Sequence, residues 1–151
     1  NRFSEAANEA IGDATGILIQ FPLYFGIMGL MNNSGLGSQI ATAFTNISTS
    51  ETFPIFTIIN AGLLNLFVPS GGGQWVIQGP ILCQAALELN VPLNKMILAF
   101  SYGDQLTNML QPFWALPLLG ITKLEAKQLL PYTLALFAFG FALFCFGVML
   151  A

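Results

Sequence analysis

Two short stretches of this 151-residue chain hold most of the residues able to do chemistry. The first is Ser70-Gly71-Gly72-Gly73-Gln74, directly after Pro69, and the second runs from Gly103 through Asp104, Thr107 and Asn108 to Gln111 and Pro112. Each interrupts an apolar run. A break of this kind inside a membrane helix frees backbone N–H and C=O groups that can hold a solute or an ion. A helix that starts just after such a break also presents partial positive charge to an anion. A compact carboxylate is therefore expected at the helix starts near Gln74 and Phe113. Ser70 and Gln74 would add side-chain bonds, and Gly71, Gly72 and Gly73 would let the solute approach the backbone. Thr107, Asn108 and Gln111 would supply cavity-lining polar groups from the second break. Asp104 is the only acid between apolar half-helices, and a carboxylate in such a place is costly enough to mark function. It is expected to bind a coupling cation or exchange a proton, with Asn108 beside it. The structural alternative is a carboxylate bonded to Thr107 and Asn108 that caps the second half-helix.

Other chemistries lack their parts. The chain has no histidine, so Ser-His and Cys-His pairs and imidazole metal sites are excluded. Ser70 has no neighbouring base, and Ser70-Gly71-Gly72-Gly73 lacks the lysine of a phosphate loop. Gly103-Asp104 is a fragment of the Gly-x-Gly-Asp element of intramembrane aspartyl proteases, but no second membrane-embedded aspartate accompanies it. No catalytic residue and no metal ligand is assigned, and an enzyme is not expected. Cys83 and Cys145 read as buried fillers, since two cysteines make no secreted disulfide scaffold.

The elements that position these stretches follow from composition. Hydrophobic residues make up 55% and charged residues 7%, against the ~25% charged residues of ordinary soluble domains, so most of the surface must face lipid or protein. No charge occurs from 14 to 50, from 52 to 87 or from 128 to 151, and runs of that length are what a bilayer selects. Disorder and a nucleic-acid surface both need more charge. Glu5, Glu9 and Asp13, spaced by four, read as one solvated helix face. The chain opens on Asn1 without a start methionine and is expected to be a piece of a longer membrane protein.

Residues 1–31 form an N-terminal extension and a spanning helix from about Ala14, in which Gly12, Gly16, Gly26 and Gly29 would allow close helix approach. Residues 32–51 carry Leu36, Ile40, Ala43, Phe44 and Ile47 on one stripe and read as an amphipathic interfacial helix. Residues 52–89 read as a re-entrant hairpin with its tip at 69–74. The arm from Trp75 to Leu89 is too short for a full span, at ~22 Å, and no charge lies near the tip. Residues 95–120 read as a helix broken over 103–112, because three-residue Gly103-Asp104-Gln105 halts it and Phe113 resumes it. Residues 128–151 form the last spanning helix. With Arg2, Lys123 and Lys127 on the cytoplasmic side and Lys95 outside, the bases follow the positive-inside tendency.

At these same residues the chain resembles the bacterial short-chain fatty acid transporter family. FVPSGGGQWVIQGPI (Phe67 to Ile81) and SYGDQLTNMLQPFWALPLLG (Ser101 to Gly120) carry the likeness, over about a quarter of the chain. The order of segments is also similar to the C-terminal repeat of the wider ion transporter superfamily, which includes dicarboxylate and aminobenzoyl-glutamate carriers. The resemblance implies an all-α membrane protein, namely the C-terminal repeat of an inverted-repeat, elevator-type transporter with a re-entrant helical hairpin and a broken transmembrane helix. Ser70 to Gln74 would be the hairpin tip and Gly103 to Gln111 the broken-helix loop. Relatives often carry Ser-Asn-Thr at the tip, whereas Ser70 is followed here by Gly71 and Gly72, which suits a smaller monocarboxylate held by backbone amides.

The implied function is secondary transport, as symport, of short-chain fatty acids such as acetoacetate or butyrate across the bacterial cytoplasmic (inner) membrane by a multi-pass protein. No cofactor is implied beyond coupling by H+ or Na+. The implied partners are the short-chain carboxylate substrate, the lipid bilayer and the remaining N-terminal part of the same transporter, with a homodimer as an option and no nucleic acid. The alternatives are a carrier of other organic anions in the same superfamily and a non-transporting channel or assembly subunit.

Overall fold

The computed structural model describes the backbone of residues 2–151 and the side chains of all of these except residues 13, 17, 112–114, 116 and 117. Asn1 and the side chain of Asp13, read above as part of the chain start and of a solvated face, lie outside the described residues. Seven helices follow one another: α1 (Arg2–Asn33), α2 (Leu36–Asn46), α3 (Phe53–Asn65), α4 (Gly71–Glu88), α5 (Leu93–Asn108), α6 (Pro112–Thr122) and α7 (Ala126–Leu150). There is no strand among the described residues.

Two helices are long and apolar enough to cross a membrane, α1 over Ala14–Asn33 and α7 over Ala126–Leu150. Their apolar side chains face outward: Phe139 and Phe146 on α7 are 70% and 64% exposed. Such surface suits lipid or a further protein layer and not water. α7 starts with a reciprocal cap in which the side chains of Glu125 and Gln128 each accept a backbone N–H from the other residue's position. α1 touches its neighbours α6 and α2. The glycines at 12, 16, 26 and 29 meet nothing within 4 Å of where a Cβ would stand, so the close approach expected there is not made inside this chain.

α3 is the central element, with nine of its thirteen residues buried. It starts after a Thr49–Thr52 hydroxyl turn, with Pro54 in its first turn where a missing N–H costs nothing. It lies most closely on α5, and the reason is Gly103. A Cβ at Gly103 would overlap Ile58 O and stand 2.7 Å from Ala61 Cβ and 3.0 Å from Gly62 N. A side chain at Gly62 would in turn meet Gly103 O at 3.3 Å. Two glycines face each other where the helices cross, the small-residue contact that membrane helices use to bring backbones together.

α4 folds back along α3 and packs Leu82, Ala85 and Ala86 against Phe53, Ala61, Met96 and Phe100. Trp75 meets Phe100 edge-on at 5.1 Å, and Gly79 leaves room for the indole, whose Cε2 stands 2.7 Å from a Gly79 Cβ position. α4 runs unbroken through Gly79 and Pro80 for 18 residues. A second cluster holds Ile58, Ala99, Leu106 and Val148, with Tyr102 stacked on Phe144 at 4.3 Å, and ties α7 to α5.

α2 differs in detail from the stripe read off the sequence. Its buried residues are Gly37 and Ala41, while Leu36 and Ile47 are exposed. Gly37 admits Ile77 of α4, and Ala41 O accepts a hydrogen bond from Asn60 Nδ2, so the small residues set the contact and the large ones lie beside it.

Candidate functional site: two chain breaks joined by one asparagine

The first break lies over 66–70. Ser70 is extended (φ −153°, ψ 104°), its Oγ accepts the Gly73 N–H at 3.3 Å and its O accepts the Gln74 N–H at 2.8 Å. The three glycines therefore do not form the break but the first turn of α4. There the backbone N–H groups have no intrahelical partner in any case, and a serine cap holds the turn. Gly71 and Gly72 are exposed, and a Cβ on Gly72 would meet nothing within 4 Å. The same position on Gly71 lies 3.7 Å from Asp104 Oδ1 and 3.8 Å from Oδ2. The tip and the Asp104 carboxyl are thus neighbours.

The second break is shorter than expected. α5 continues through Gly103, Asp104 and Gln105 to Asn108, and only residues 109–111 separate it from α6. Gly103 serves the crossing with α3 rather than stopping the helix. Met109, Leu110 and Gln111 each donate to the residue three back, the tighter winding that ends many helices. Gln111 is the extended residue before α6, with no side-chain cap bond, and α6 starts at Pro112.

Asn65, the last residue of α3, joins the two breaks. Its Nδ2 lies 2.9 Å from Asp104 O, 3.0 Å from Thr107 Oγ1 and 2.8 Å from Asn108 Oδ1, while its own O accepts from Gln111 Nε2 at 2.6 Å. An amide has two hydrogens, so one of the three acceptors shares a bond. Thr107 Oγ1 and Asn108 Oδ1 accept from Asn65 and the Thr107 hydroxyl itself donates to Gly103 O at 3.5 Å, while Asp104 Oδ1 is buried without a donor among the described residues, so the carboxylate cap sketched as the alternative for Asp104 is not made there.

Gln74 also differs from its expected part. It is fully buried and its Nε2 donates to Ala61 O at 2.7 Å and to Gln78 Oε1 at 2.8 Å, so its side chain has no hydrogen left for a solute at the tip. Gln78 continues the line to Asn60 Oδ1 at 3.1 Å, and Asn60 reaches Ala41 O. This buried chain of amides fastens α4 and α2 to α3. Asn60, Asn65 and Gln78 were missed by the sequence reading, which took both arms as plainly apolar. Three amides in arms without a charge were the signal.

Around the breaks, the buried side-chain oxygens Asn65 Oδ1, Gln74 Oε1, Asp104 Oδ1 and Gln111 Oε1 have no donor among the described residues. Buried acceptors ordinarily find a partner. The tip offers the opposite character, exposed first-turn N–H groups at Gly71 and Gly72 beside the Ser70 hydroxyl.

The described elements are all helices, two of them are long and apolar enough to cross a membrane, and polar groups gather at two breaks between helices, the make-up of a helical membrane protein. Residues 2–151 match the short chain fatty acid transporter family, and the chain belongs to it. It is 43% identical over 148 residues to an Escherichia coli (strain K12) protein and 40% identical over 146 residues to one from Haemophilus influenzae, both provisionally named short-chain fatty acid transporters. These alignments cover 98% and 97% of this chain and 34% and 33% of the relatives, so the chain spans about a third of their length. No solved structure matches it.

Proposed function

We propose that the chain is the C-terminal repeat of an elevator-type secondary transporter that carries short-chain fatty acids, acetoacetate- or butyrate-like monocarboxylates, across the bacterial cytoplasmic membrane. In this reading α3 and α4 are a re-entrant hairpin, α5 and α6 a broken spanning helix, and α2 lies at the interface. Arg2, Lys123 and Lys127 face the cytoplasm.

The observation that carries the reading is the junction itself: Asn65 holds both breaks together, with the Asp104 carboxyl against the tip. The substrate carboxylate is held by Ser70 Oγ and the amides of Gly71 and Gly72, where a helix start favours an anion, while Gly73 acts through the cap bond its amide gives to Ser70 Oγ. Thr107, Asn108 and Gln111 shape the other wall, and Gln74 acts through its buried bonds. Two carboxylates placed so close do not both stay ionised without a counter-charge. A proton on Asp104, or a Na+ held by Asp104 and neighbouring oxygens such as those of Asn108 and Gln111, supplies it and makes the transport a symport. Asp104 Oδ1 and Gln111 Oε1 are buried acceptors without donors among the described residues, the ligands a hard cation takes, and Asn108 Oδ1 lies beside them in its bond from Asn65.

The test is uptake of labelled butyrate and acetoacetate by the full-length protein in liposomes under imposed H+ or Na+ gradients. Accumulation above the external concentration with one gradient is expected. Equilibration without accumulation under either gradient would mean a channel, and absence of uptake of every short-chain acid would end the substrate assignment.

A further inference from the structure

A cavity of about 360 Å³ lies between α1 and the hairpin tip. Its polar side is Pro69, Ser70 and Gly71, and its other side is an apolar wall of Phe21, Tyr24, Phe25 and Met28 from α1. Phe21 and Phe25 stack at 6.0 Å. Met28 reaches the tip directly, its sulfur 3.3 Å from where a Cβ on Gly73 would stand. α1 was read from the sequence only as a spanning helix, and its aromatic face had no task.

We propose that this α1 face is the acyl-tail half of the substrate chamber and sets the chain length the transporter accepts. The proposal rests on the transport reading above and adds to it the residues that select the tail. At about 360 Å³ the cavity is at the lower end of the ~300–1,000 Å³ range of small-molecule sites, so a short acid can meet both of its walls at once. It is apolar on one side and hydrogen-bonding on the other, which is the polarity of a monocarboxylate with a saturated tail. No basic residue lines it among the described residues, so a second carboxylate on the substrate would find no partner on these walls. The tail lies between the Phe25 ring and the Met28 thioether while the carboxylate meets the Ser70 hydroxyl and the first amides of α4. Each methylene buried against such a wall tightens binding about fourfold, the equivalent of ~0.8 kcal/mol, until the wall is reached. α1 thereby measures the acid.

The experiment is competition of acetate, butyrate, hexanoate and octanoate against labelled butyrate uptake by the full-length protein in liposomes. Phe25→Ala deepens the chamber and should improve hexanoate relative to butyrate by about tenfold or more in the ratio of inhibition constants, the effect of roughly two further buried methylenes. Met28→Phe should shift preference the opposite way, toward acetate, and carries the test if Phe25→Ala does not insert. Phe146→Ala, on the outward face of α7, is the control and should leave the order of acids unchanged. Variants that insert and transport butyrate with the wild-type order of acids would overturn the proposal and leave the transport reading standing. Wild-type protein that takes up none of the acids would instead remove the transport reading itself.

Discussion

Removing the Asn65 side chain tests whether the two breaks act as one unit. In Asn65→Ala the Nδ2 donor is lost to Asp104 O, Thr107 Oγ1 and Asn108 Oδ1 at once. Its two hydrogens correspond to two full bonds, and side-chain bonds between membrane helices are worth ~0.6 kcal/mol on average and ~1.7 at most, so the loss is about 1–3 kcal/mol. Leaving buried acceptors unsatisfied moves the result toward the upper end. The pairwise part can be isolated with Asn108→Ala and the double variant, measuring unfolding free energy of the full-length protein in mixed micelles. The expected coupling between Asn65 and Asn108 is ~0.6–1.7 kcal/mol, well above the ~0.3–0.5 within which independent sites add. Because the bond also fixes Asp104 against the tip, Asn65→Ala should raise the KM for butyrate as well. Strict additivity of the two substitutions, with unchanged uptake, would refute the idea that Asn65 joins the breaks.

Four other outcomes are expected. Gly103→Leu should lower the midpoint of thermal unfolding sharply, because its Cβ would overlap Ile58 O, whereas Gly72→Ala should leave it within a degree or two because nothing lies within 4 Å; equal shifts would contradict the α3–α5 crossing. Ser70→Ala and Gly72→Val should lower uptake while insertion stays normal if, as proposed, the open side of the tip meets the solute, and unchanged kinetics in Gly72→Val would make the tip a mere turn. Asp104→Asn should keep exchange of internal for external solute and lose gradient-driven accumulation, and wild-type accumulation would remove Asp104 from coupling. Single cysteines replacing Glu51 and Glu88, both exposed at the open ends of α3 and α4, should label from the same side of the membrane, with Lys123→Cys labelling from the cytoplasm; labelling of Glu51→Cys and Glu88→Cys from opposite faces would exclude the re-entrant hairpin.

The helical membrane class was legible in the sequence because it depends on counting. Charge-free runs and sparse acids and bases speak of the solvent, whatever the packing. The existence of two breaks was legible as well, since Pro69 with three glycines and the polar run before Pro112 lower local helix stability by themselves. Where each chain actually leaves the helix was decided by tertiary contacts. Gly71–Gly73 enter α4 because Ser70 caps them, and Gly103 stays helical because the approach of α3 requires a residue without a side chain there. The stripe of α2 shifted for the same reason, with Gly37 and Ala41 chosen by closeness and not by hydrophobicity. Asp104, Thr107, Asn108 and Gln111 could be picked out by residue type and position. Their joining to Asn65, the withdrawal of Gln74 into the arm contact, and the meeting of α1 with the tip could not be read from order along the chain. Asn65 is 39 residues from Asp104 and 46 from Gln111, and hydrogen bonds across such separations exist only once three helices have been packed together.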